Sequence, residues 1–199
     1  MNSIQIKAIG NFLQYYETDL NYIREFQNFK KGTIELSLYK DKVPNGFYKF
    51  LIEFRIIRNI PSGTSKELLI ETQNWVKNNN ADNVDLFVEK LLGNDISRKK
   101  RLVSLASKVL FLNNPWKIIP MDVQTRKSLD LTENNYTEYQ KRIKKFKEDH
   151  SNQIKECLKF VEKATQSVHS NFVDIPNIDV ICENRMIDKI LWVKGVKMF

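Results

Sequence analysis

Residues 104–129 read SLASKVLFLNNPWKIIPMDVQTRKSL, and the apolar residues of the first half, Leu105, Val109 and Leu112 with Ala106 and Leu110 beside them, recur at the spacing of a buried helix. One charge, Lys108, falls inside that run, where an ammonium either reaches water along its own methylene stem or is held in a partly dry setting. Asn113, Asn114 and Pro115 stop the helix, residues 116–119 cross over, and Pro120-Met121-Asp122 lead into a second helical run with Val123, Arg126, Lys127 and Leu129. Asp122 thus stands at a helix start, where an aspartate commonly accepts a backbone N–H.

The same spacing recurs along the chain. Ile6, Ile9, Phe12, Leu13, Tyr16, Leu20 and Ile23 predict an N-terminal helix ending before Gly32. After the Pro44-Asn45-Gly46 turn, Phe47, Phe50, Leu51, Phe54 and Ile57 predict a helix ending near residues 59–61. Thr64 with Glu67 has the capping-box pattern and opens a helix through Leu68, Thr72 and Trp75. Asp82 is expected to cap another through Val84, Phe87, Val88 and Leu91, closed by Gly93. Beyond Asp122, Tyr136, Tyr139, Ile143 and Phe146 mark one helix, and Ile154, Cys157, Leu158, Val161 and Val168 another. A last element contains Glu183, Arg185, Asp188, Lys189 and Trp192 and ends at Gly195. Only Ile34, Leu36 and Leu38 alternate with polar neighbours, so the expected class is mainly α with one short strand near residues 33–39.

A chain of 199 residues with 42% hydrophobic side chains can bury a core as one domain, 1–199, or as two helical lobes, 1–93 and 94–199, around a cleft. The net charge of +8 favours polyanions, nucleic acid first among them. Basic residues cluster at Arg98, Lys99, Lys100 and Arg101, and again at Lys141, Arg142, Lys144, Lys145 and Lys147, where a solvated helix face is the plainer account. Cys157 and Cys182 fall on separate expected helices, and no apolar stretch of membrane-spanning length is present, so a reducing cytoplasm and no membrane partner are expected. With His150 and His169 the only histidines, neither a zinc site nor a histidine-dependent triad is expected, and no cofactor is called for.

Ser104-Leu105-Ala106-Ser107-Lys108-Val109 and Pro120-Met121-Asp122-Val123 resemble the hairpin lysine and the Pro-Val-Asp of helix-hairpin-helix DNA glycosylases, most closely the 8-oxoguanine DNA glycosylase-like branch. The element around Arg185 to Trp192 resembles the C-terminal helix of bacterial relatives. The resemblance implies a helical glycosylase-like fold, with Lys108 as the nucleophile that attacks the sugar carbon and forms a Schiff base, and Asp122 as the essential carboxylate. It also implies that Gln124 and Arg126 touch backbone phosphates. Such chemistry needs an unprotonated amine, favoured by desolvation or nearby positive charge, and a carboxylate to manage the proton and the cationic sugar. Ser104-Leu105-Ala106 stands where the family has Gly-x-Gly, and residues 97–112 also read as one continuous helix capped by Ser97, which would remove the hairpin.

The implied activity is excision of an oxidised purine-type base from DNA, with strand cleavage at the abasic site and a role in antiviral defence beside operon-encoded protein partners. Trp116 and Trp192 are the candidate stacking surfaces for an extruded base, although tryptophans more often serve a core or a lid. Asp188 reads as a surface ion-pair partner of Arg185 or Lys189. The competing expectation is a helical nucleic-acid- or partner-binding protein that keeps the fold without catalysis.

Overall fold

The computed structural model describes residues 1–32 and 46–196, and among them every regular element is a helix: α1 (Ser3–Lys30), α2 (Gly46–Glu53), α3 (Ser65–Trp75), α4 (Val84–Leu92), α5 (Val103–Asn113), α6 (Val123–Ser128), α7 (Tyr136–Asp149), α8 (Ser151–His169) and α9 (Ile178–Val196). The strand expected near residues 33–39 and most of the Pro44-Asn45-Gly46 turn lie outside the described residues. No described helix is long and apolar enough to cross a membrane. The chain divides into two compact units, one of Met1–Leu20 with Ile119–Phe199 and one of Asn21–Ile118. The chain therefore changes unit at 20/21 and at 118/119, whereas the lobes read from sequence meet at 93/94.

Four of the local expectations are corrected. The apolar run from Phe47 stops at Glu53 because Arg55 turns left-handed (φ 56°), Arg55 N–H donates to Ile52 O at 2.9 Å and Ile56 N–H to Leu51 O at 2.7 Å, the Schellman pattern. Buried Ile56 is the apolar contact that closes such an end. Thr64 does begin α3, but its hydroxyl donates to Pro61 O (2.9 Å) and forms no capping box. Asn83, not Asp82, caps α4 by accepting from Leu86 N–H at 3.0 Å, while Asp82 accepts from Asn114 at 2.8 Å. A continuous helix from Ser97 is ruled out: α5 begins at Val103, after a 3-10 turn and the left-handed residues Arg98 (φ 50°) and Lys99 (φ 57°).

Each unit has one central, largely buried helix, apolar in one case and carrying buried polar and charged residues in the other. In the 21–118 unit it is α5, which packs on α4 and buries every residue except Ser104 and Lys108. Gln27 of α1 donates from its amide nitrogen to Leu112 O and Asn113 O, both at 2.8 Å, satisfying carbonyls at the end of α5. In the other unit it is α9, packed on α6 and α8. There Arg185, 1% exposed, donates to Asp19 (Nη2 2.6 Å, Nε 2.8 Å) and to Asp188 (Nη1 3.0 Å). Asp188 is therefore a partner of Arg185, but a buried one, and its expected surface position is corrected. Burial alone would push the guanidinium down, and the two carboxylates outweigh it and hold Arg185 above its usual range.

Removing one side of a buried, hydrogen-bonded ion pair leaves an uncompensated charge, so Asp19→Ala is expected to destabilise the protein by roughly 3–5 kcal/mol in urea unfolding; a loss below about 1 kcal/mol would mean that the triad contributes little. His169 gives a pH signature in the same unit. Its Nε2 lies 2.8 Å from the Tyr16 hydroxyl, and burial holds its pKa below the ordinary value although the Asp179 carboxylate pulls the other way. The folded state thus binds fewer protons than the unfolded one: this contribution is complete above the unfolded pKa near 6.5 and is lost as pH falls through the folded pKa. Tm is expected to fall between about pH 7.5 and 5.5 more steeply in the wild type than in His169→Gln, and parallel slopes would contradict the assignment.

Candidate functional site

Lys108 belongs to the 21–118 unit and Asp122 to the other. Lys108 lies in the second turn of α5, on the one strip of that helix that is not fully buried, shared with Ser104 one turn earlier. Its Nζ donates to the Phe54 carbonyl at 3.1 Å, where α2 ends. An ammonium at that point complements the carbonyl end of a helix as well as presenting an amine.

The connection between α4 and α5 carries Arg98, Lys99, Lys100 and Arg101, all exposed. Arg98 Nη2 donates to Ile60 O at 3.0 Å, Lys100 N–H to Ser97 O at 3.0 Å, and Arg101 pairs with Glu89. The result is two packed helices joined by a strongly basic connection, residues 93–102, whose two left-handed positions are the basic residues Arg98 and Lys99 rather than glycine. Counted over the sequence, the 21–118 unit has seventeen Lys and Arg against ten Asp and Glu, which is all but one of the chain's +8 surplus. The second basic cluster is offset in part where it stands, three of its five cations being paired: Lys141 and Arg142 share Glu138 at 3.3 and 3.6 Å, and Lys147 pairs with Glu183 at 2.8 Å.

Asp122 is held from several sides. It is the N-cap of α6, with its Oδ1 accepting from Thr125 N–H at 2.9 Å while its own N–H donates to Thr125 Oγ1 at 2.9 Å, a reciprocal capping box. Just before it, the Tyr136 and Tyr139 hydroxyls of α7 donate to Ile119 O (2.9 Å) and Pro120 O (3.1 Å). Just after it, α6 lies so close to α9 that a Cβ on Gly195 would overlap the Gln124 carbonyl. Asp188 is within electrostatic reach; burial pushes that carboxyl up, and Arg185 opposes the shift without cancelling it.

Of the other expected site residues, Gln124 buries a side-chain oxygen with no partner among the described residues, and Arg126 Nη1 donates to Thr132 O at 3.3 Å. Trp116 is half-buried in the crossover of the 21–118 unit, and Trp192 is 39% exposed on α9 of the other. Sequence reasoning passed over Asp19 and gave Lys189 only an ion-pair role. Asp19 falls on the apolar stripe of α1 with Phe12, Tyr16 and Ile23, and an acid on such a stripe was the available signal. Lys189 Nζ lies 5.0 Å above the Tyr15 ring centroid, and burial, then the neighbouring Arg185 charge, lowers its pKa. Burial pushes the Cys182 thiol up to about 12, which leaves it unreactive. No group of three or more His, Cys, Asp or Glu among the described residues is placed to hold a metal ion.

Gly195→Ala is expected to cost about 1–3 kcal/mol, since backbone rather than a flexible side chain opposes the new methyl group, and to shift the Asp122 and Thr125 amide resonances. An unperturbed spectrum with unchanged Tm would contradict the close approach of α6 and α9. No protein-family model, no curated protein and no solved structure matches this chain.

Proposed function

We propose that the chain is a nucleobase-excising enzyme of the helix-hairpin-helix glycosylase type, acting on DNA with an oxidised purine-type base and using Lys108 as the amine and Asp122 as the carboxylate. In this reading the unprotonated Lys108 amine bonds to the sugar C1′ as the C1′–N bond to the base breaks. The base leaves with a proton, the amine gives up its own, and ring opening yields a Schiff base that elimination of the 3′-phosphate or water then resolves. Asp122 stabilises the cationic sugar and accepts or returns the proton. A defence role goes with the resemblance from which this reading starts, and a cytoplasmic setting with two cysteines, Cys157 and Cys182, on separate helices.

The observation that carries it is the setting of Lys108: a lone amine on an otherwise buried helix, following a basic turn, in the unit that holds nearly all of the chain's positive surplus. The tightly held Asp122 agrees with a preorganised carboxylate. A second reading, a nucleic-acid-binding protein without catalysis, is favoured by the bond from Lys108 to the end of α2, which gives that lysine a structural task, and by the absence of glycine at residues 104–106.

Borohydride reduction in the presence of DNA carrying 8-oxoguanine or an abasic site is expected to trap a covalent adduct that Lys108→Gln abolishes while DNA binding persists. Asp122→Asn should slow single-turnover base release by about 100-fold or more. Binding with neither adduct nor base release across a lesion panel would sink excision in favour of the second reading.

A further inference from the structure

The 21–118 unit contains a recess of about 220 Å³ whose polar lining comes from Arg58, Arg98, Ser62 and the Tyr48 ring, over an apolar floor that includes Ile57 and Pro61. Among the described residues no acidic side chain lines it. Arg58 is exposed, and Arg98 reaches the recess through the left-handed turn before α5, with one guanidinium nitrogen on Ile60 O at 3.0 Å. A guanidinium carries five N–H donors, so that single bond fixes the orientation of Arg98 and leaves its fork able to meet an anion. Gly63, left-handed at φ 87°, keeps one wall free of a side chain.

We infer that this recess is a subsite for one phosphodiester group of a nucleic-acid strand, gripped by Arg58 and Arg98, with the adjoining sugar on the apolar floor. Two guanidiniums lining one recess suit a phosphate, because each planar fork matches two of its oxygens at once. A surplus of seven positive charges on the surrounding unit favours a polyanion over an isolated anion. The location joins the subsite to the amine: the same stretch, residues 54–63, supplies the Phe54 carbonyl that holds Lys108 Nζ at one end and the recess wall at the other. A strand anchored there is kept beside the residue proposed to react. The inference rests on the nucleic-acid reading above but does not require catalysis.

The test is fluorescence anisotropy of a labelled, undamaged oligonucleotide between about 50 and 200 mM salt, with wild type, Arg58→Gln, Arg98→Gln and, as a charge control, Lys77→Gln, an exposed cation of the same unit outside the recess. Arg58→Gln and Arg98→Gln are each expected to weaken binding about 3- to 10-fold and to reduce the slope of log K against log salt by roughly 0.7–0.9, one phosphate contact. Lys77→Gln should change affinity less than about 2-fold. An effect of Lys77→Gln equal to that of Arg58→Gln would mean a diffuse field and overturn the subsite, as would an unchanged slope in Arg58→Gln or a wild type that binds no DNA. The two proposals fail separately: the Arg58 effect without a trapped adduct removes excision and keeps the subsite, and an adduct formed with Arg58→Gln binding normally does the reverse.

Discussion

The buried guanidinium of Arg185 is the constraint on which the unit of Met1–Leu20 and Ile119–Phe199 depends. A charge 1% exposed is tolerable only because Asp19 of α1 and Asp188 of α9 accept its N–H groups from different sides. That requirement fixes the rotation of α9 and the register of α1 beside it. Once α9 is fixed, Gly195 admits the backbone of α6, and the N-terminus of α6 places Asp122. The position of the candidate carboxylate thus descends from an ion triad elsewhere in the same core.

The 21–118 unit solves a different problem. Its central helix, α5, is apolar on nearly every face and is closed at its end by Gln27, so the amine of Lys108 has only one strip on which to emerge. The Phe54 carbonyl orients it there. The positive surplus of this unit stands in contrast to the near balance of the other, where Lys141, Arg142 and Lys147 of α7 already meet Glu138 and Glu183. Under the nucleic-acid reading proposed above, charge favours the 21–118 unit as the one that faces the strand.

Helix existence was legible in the sequence because burial imposes three-and-four spacing, and α1, α3, α4, α5, α7 and α8 follow it. Helix ends were less legible. Arg55 closes α2 in a conformation that glycine normally supplies, and Asn83 takes the cap beside an equally plausible Asp82 that is used by Asn114, a residue more than thirty positions away. Asp122 as a cap could be read from the Pro-Met-Asp order, since its partner Thr125 is local. The hydrogen-bond partner of Lys108 and the pairing of Arg185 with Asp19 could not, because both join segments far apart in sequence. The unit boundaries were equally hidden, since α1 contributes to both units and the division at 118/119 falls inside the short crossover between α5 and α6.

Among the described residues two lysines have settings that suit an amine nucleophile: Lys108, in the strongly basic unit, and Lys189, partly buried beside Arg185 and three carboxylates. Tandem mass spectrometry of the proteolysed, borohydride-reduced protein–DNA adduct distinguishes them by the peptide that carries the sugar remnant. The account predicts the remnant on Lys108. A remnant on Lys189 would contradict it.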